Sequence, residues 1–145
     1  MIVHGKLSKS QLSALNFFAD ALLTNQLKRH IIIHVKFRRK MNYLGLAEVD
    51  DYNASGKPRE FILEINRNQS EDEILRTLAH EMCHVRQYCY GDLNEEGNTW
   101  CGQKMSRDLE YHEQPWEIEA ETIGDIIFND YMESYYVERQ GRNDE

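Results

Sequence analysis

Residues 70–87, Ser70-Glu71-Asp72-Glu73-Ile74-Leu75-Arg76-Thr77-Leu78-Ala79-His80-Glu81-Met82-Cys83-His84-Val85-Arg86-Gln87, carry a helix start signal and a chemical motif in one stretch. Ser70 with Glu73 three residues later reads as a capping box, and the acidic first turn complements the positive end of the helix dipole. Ile74, Leu78, Met82, Val85 and Cys89 then recur at helical spacing and form an apolar stripe. On such a helix His80 and His84 are one turn apart, about 6 Å along the axis and about 40° around it. Both imidazoles can reach one metal ion. They project nearly opposite the apolar stripe, so a core can hold one side of the helix while the other lines a cleft. Glu81 lies on the adjoining flank, where its carboxylate can take a proton from a metal-bound water.

Two histidines do not complete a catalytic zinc site, which takes three protein ligands and keeps a fourth position open. Downstream candidates are His112, Glu113, Glu117, Glu119, Glu121 and Asp125. Pro115 suits the first position of a new helix, and Trp116, Ala120, Ile123, Ile127 and Tyr131 recur on one side of it. Glu117 and Glu121 lie one turn apart on the flank of that stripe, whereas Glu119 projects toward water. The reading therefore assigns Glu117 as third ligand and Glu121 as a neighbour that positions it or a histidine. Glu121 and His112 stay open as alternatives for the ligand itself.

The two segments together, Leu78 to Gln87 and Pro115 to Glu121, resemble the gluzincin group of zinc metallopeptidases. The likeness is strongest to the small SprT-like or minigluzincin proteins common in bacterial and phage genomes. It implies a zincin-like domain in which His80, His84 and Glu117 hold Zn²⁺ and Glu81 acts as general base. True SprT proteins complete the site with a third histidine, and only His112 could play that part here.

The remaining sequence reads as one α+β domain spanning residues 1–145. Leu12, Leu15, Ala19, Leu22 and Leu23 mark an amphipathic N-terminal helix from about residue 8 to 28. Ile31, Ile33, Val35 and Phe37 alternate with polar residues as a half-buried strand, and a second strand is expected from Tyr43 to Asp50. Asn53-Ala54-Ser55-Gly56-Lys57-Pro58 supplies turn chemistry before a third strand over residues 60–66. The expected sheet is small, of about three strands and mostly antiparallel, with residues 61–66 as an edge that could pair with an extended peptide. Residues 91–114 lack periodicity, and a loop of that length in a compact domain is usually functional. Within it Trp100 is a candidate anchor near the cleft, and the Tyr111 hydroxyl a candidate donor to a developing oxyanion. The polar stretch from Gln140 to Glu145 is expected to fray.

Net charge of −8 and a pI near 5.3 argue against a general nucleic-acid surface. Lys28, Arg29, Lys36, Arg38, Arg39 and Lys40 form a local basic exception around the first predicted strand. No run of eighteen apolar residues predicts a membrane span, and the first residues lack the pattern of a secretory signal. Three cysteines, Cys83, Cys89 and Cys101, are an odd number without CxxC spacing, which reads as reduced thiols and a cytoplasmic setting. Two classes of function follow. The first is a zinc endopeptidase acting on a peptide or protein, with Glu81 as base; the second is a non-catalytic zincin module with a structural metal site that binds a partner. An intact Glu81 favours the first, since a structural zinc site is normally a closed shell.

Overall fold

The computed structural model describes residues 1–96 and 98–143. Serine starts both long helices of the N-terminal two-thirds. Ser8 Oγ accepts from the Gln11 N–H at 3.1 Å while Gln11 Oε1 accepts from the Ser8 N–H at 2.9 Å, a complete capping box on α1 (Lys9–Leu22). Ser70 Oγ accepts from the Glu73 N–H at 3.2 Å and caps α3 (Glu71–Cys89). The predicted first helix ends sooner than its apolar pattern suggests. Leu23 turns extended, and Thr24 caps a separate short helix, α2 (Asn25–Lys28), by accepting from the Leu27 N–H. A strong capping residue thus wins over continued periodicity.

The sheet has four strands in the order β1-β2-β4-β3: β1 (Ile2–His4), β2 (Ile32–Arg38), β4 (Pro58–Asn66) and β3 (Gly45–Tyr52). The α+β class expected from sequence is the class observed. The sheet itself is mixed rather than mostly antiparallel, because β1 pairs with β2, and β2 with β4, in parallel; only β3 and β4 are antiparallel. Two features produce this. The three-residue β1, too short to show alternation, adds a strand ahead of α1, and α1 and α2 then serve as the crossover that parallel pairing requires. The β3–β4 hairpin closes through Asn53, whose Oδ1 accepts from the N–H groups of Ser55 and Lys57 at 3.0 and 2.9 Å, with Gly56 at φ 77°.

This order corrects the expected edge. β4 carries Phe61, Leu63 and Ile65 fully buried and is hydrogen-bonded on both sides, so it cannot accept another strand. The edge beside α3 is β3. The sheet's inner face, α1 and α3 share one apolar core, which includes Leu15, Phe18, Ile33, Phe61, Leu78 and Met82.

Helix α4 (Pro115–Asn143) runs antiparallel to α3. Its Trp116 carbonyl meets Gln87 near the end of α3, Gly124 meets His80, and Asp125 pairs with Arg76. A Cβ on Gly124 would lie 3.2 Å from His80 Cα, so the missing side chain is what permits this close approach. The contact line consequently runs through Glu117, Ala120, Gly124, Ile127, Phe128 and Tyr131. Ile123, expected on the buried stripe, is rotated off it and is 36% exposed. The helix continues through Gln140 to Asn143, and residues 144–145, the last of the stretch expected to fray, lie outside the described part. Among the described residues no helix is long and apolar enough to cross a membrane.

Candidate metal centre

The capping at Ser70 fixes the phase of α3, and its core face (Ile74, Leu75, Leu78, Met82, Val85) turns His80 and His84 toward α4. Glu117, two residues after Pro115 begins α4 and two turns before the Gly124 contact, enters the same space. Its Oε1 lies 2.5 Å from His84 Nε2 and its Oε2 lies 3.4 Å from His80 Nε2. Donor atoms of His80, His84 and Glu117 all fall within 4.8 Å of one another. The three residues assigned from sequence as ligands are therefore gathered at one point. His112 is not: it sits on a 3-10 turn (Tyr111–Glu113), with its side chain 80% exposed beside Glu113.

Charge is strongly coupled within this cluster. Burial opposes ionisation of Glu117, but hydrogen bonds from His80, His84 and Tyr111 outweigh it and hold the carboxyl far below its ordinary value. Burial likewise opposes protonation of His84. The Glu117 hydrogen bond and the Glu81 charge overcome that and leave the imidazole raised. For buried Glu81, desolvation prevails over the pull of His84 and His80, so its carboxyl is raised. One carboxyl is thus held ionised while the other is poised to bind a proton.

Gln87 is the residue that sequence reasoning missed. It is fully buried and accepts at Oε1 from His84 Nδ1 at 2.8 Å, while its Nε2 donates to the Trp116 carbonyl at 3.0 Å and to Glu119 Oε1 at 3.2 Å. A hydrogen on His84 Nδ1 leaves Nε2 free to accept a cation, and the contact to Trp116 ties that orientation to α4. The available signal was a polar residue one turn beyond His84 on a helix flank otherwise packed in the core. The role expected of Glu121 thus falls to Gln87, and Glu121 stands exposed at the cleft rim. Glu119, expected in water, is half-buried against Gln87.

The cluster opens into a cleft of about 940 Å³ between the edge strand β3 and α4. Gly45 at the start of β3 presses on the general-base candidate: a Cβ there would meet Glu81 Oε1 at 2.9 Å and Thr77 Cγ2 at 2.6 Å. Toward the end of α3 the wall is apolar, formed by Ala47, Tyr88, Leu93 and Trp116. The segment 91–114 supplies part of this wall and is more ordered than its composition suggests. Asn94 Oδ1 accepts from the N–H groups of Asn98 and Thr99, and a small hairpin of β5 (Thr99–Trp100) and β6 (Gln103–Lys104) follows. Leu93, paired with Trp100, reaches the cleft, whereas Trp100 is not among its lining residues. Tyr111 does reach it: the side chain is at the rim, with its hydroxyl 3.4 Å from His80 Nε2. Burial and the neighbouring Glu117 raise its pKa, so the hydroxyl is a neutral donor.

Burial also pushes the thiols of Cys83 and Cys89 up, to about 12 and about 11, which suits core packing and not thiolate ligation. Of the basic residues singled out from sequence, Lys28 is paired with Asp20 and Arg38 stands 3.8 Å from Glu64. No family model, curated protein or solved structure matches this chain.

Proposed function

We propose that the chain is a zinc-dependent metallopeptidase of gluzincin type. The observation that carries this reading is the convergence of His80, His84 and Glu117 in an open cleft with a buried, raised Glu81 alongside them. The donor set fits the ion: two imidazole nitrogens and one carboxylate match the ligands of catalytic zinc sites and leave a coordination position free. Bound zinc supplies Lewis acidity for a peptide carbonyl and lowers the pKa of a water.

The chain's own residues do the rest. Glu81 takes the proton of the attacking water and returns it to the departing amine nitrogen; its raised pKa suits a group that alternates between the two states. Tyr111 donates from the rim to the developing oxyanion. The free edge of β3 at Gly45 to Ala47 offers main-chain partners to an extended peptide, and the apolar wall beyond His84 accepts a side chain. The substrate is thus a peptide or unfolded protein segment, in a cytoplasmic setting. A non-catalytic binding module would not need a carboxylate buried beside the ligands yet outside their set.

An unbiased peptide library incubated with zinc-loaded protein tests this directly. Cleavage that stops on chelation and returns with added zinc is the expected result. Absence of cleavage across the library, with zinc bound, would leave the binding module as the better reading.

Gly45 provides a more local check. Gly45→Ala combined with Thr77→Ser removes the collision with Thr77 Cγ2 and retains the Thr77 hydroxyl that donates to Gln69 Oε1, so the added methyl conflicts with Glu81 alone. The double variant is expected to keep its zinc and lose at least about tenfold in cleavage, since displacing a general base forfeits part of its 100-fold to 10,000-fold contribution. Cleavage at the rate of the Thr77→Ser single variant would show that Gly45 has no such role.

A further inference from the structure

A second group of donors lies on the opposite face of the sheet. Along β2, Ile33 and Val35 are buried, so His34 projects outward; along β4, Phe61 is buried and Glu60 projects outward beside it. His34 Nε2 and Glu60 Oε1 are 2.8 Å apart, and both side chains are half-buried, at 29% and 26% exposure. The ring of His34 is further fixed by stacking on His4 of β1, with centroids 5.1 Å apart and planes 18° apart. Asp50 joins them from β3. The register of β3 on β4 slips between Val49 and Asp51, so that Asp50 is the extra residue of a bulge, a device that re-aims a side chain. Donor atoms of His34, Asp50 and Glu60 come within 4.8 Å of one another.

We propose that His34, Asp50 and Glu60 form a second divalent-cation site, separate from the cleft, that ties the edge strand β3 to β4 and β2. The donor chemistry favours zinc or a similar transition ion. An imidazole nitrogen with two carboxylates suits that class, whereas magnesium and calcium prefer all-oxygen shells. Charge points the same way. Two carboxylates held this close on adjacent strands repel each other, and a single imidazole offsets at most one of them. The Asp50 carboxylate forms no hydrogen bond or ion pair among the described residues, which leaves its oxygens available to a cation.

The probe is Zn²⁺ alone, titrated into metal-free protein against a competing chelator. Wild type should take up two equivalents. The His84→Ala background, with His80→Ala added so that the cleft has lost both imidazoles, isolates the outer site and should retain one. Adding His34→Ala to that background should lower the remaining affinity by at least the roughly 10-fold to 100-fold assigned to losing even an outer-shell partner. Asp50→Asn, which preserves size and strand position, should act similarly, and circular dichroism of the metal-free variants checks that the sheet is intact. Three results overturn the proposal: no zinc bound in the background lacking both cleft imidazoles, zinc binding there that survives both the His34 and Asp50 substitutions, or displacement of that zinc by millimolar Mg²⁺, the mark of a merely acidic surface.

Discussion

His84→Ala is expected to remove zinc from the cleft and all cleavage with it. His84 is one of the three residues proposed to hold the ion among the described residues, and Gln87 orients its ring at Nδ1, so its loss leaves two of the proposed ligands. Loss of a ligand should weaken binding by more than the 10-fold to 100-fold typical of outer-shell changes, roughly 1,000-fold or beyond. The measurement is zinc affinity in a His34→Ala background, so that the outer face does not contribute. Affinity within tenfold of the parent would sink the assignment.

Metal-free stability supplies a second readout of the same pair. Glu117 is held below its ordinary 4.5, so its contribution is present above that pH and is lost as pH falls through the depressed value. His84 is held above its ordinary 6.5, so its contribution is present below that pH and is lost as pH rises through the raised value. Metal-free wild type should therefore exceed His84→Ala in stability most between about pH 4.5 and pH 6.5. A difference that grows steadily into alkaline pH would contradict the ion pair.

The helical half of this arrangement was legible because it depends on local rules. Ser70, the apolar period of α3 and the four-residue spacing of the histidines set which way the ligands face before any tertiary contact exists. Pro115 did the same for α4 and Glu117. What escaped depends on neighbours distant in sequence. β1 is three residues long and becomes a strand only because β2 lies beside it. The choice between β3 and β4 as edge is made by what pairs on the far side of β4, which alternation within a strand cannot report. Ile123 fits the helical pattern as well as Gly124 does, and only the close crossing of His80 selects the glycine for the interface. Gln87 is the same lesson in polar form, since its value lies in linking His84 to the Trp116 carbonyl across two helices.

Glu81→Gln is expected to separate metal binding from chemistry. Glu81 is not one of the three converging donors, so the amide should leave zinc affinity and folding close to those of the parent. The amide also fits the space beside Gly45 that the carboxylate occupies, which makes a steric collapse of the cleft an unsuitable explanation for any loss. It cannot, however, take up a proton. Cleavage should fall by at least about 100-fold and as much as 10,000-fold, the range for a general acid-base group. The pH profile sharpens this. A base with a raised pKa makes wild-type kcat/KM fall on the acid side as Glu81 becomes protonated, and that limb should disappear from whatever residual rate Glu81→Gln retains. Wild type and variant must be compared at equal zinc loading on the best substrate from the library. Equal rates at full loading would assign the cleavage to a contaminant or to a different base. A matching loss of zinc in the variant would instead make Glu81 part of the metal shell, and the division of labour between Glu81 and Glu117 would have to be redrawn.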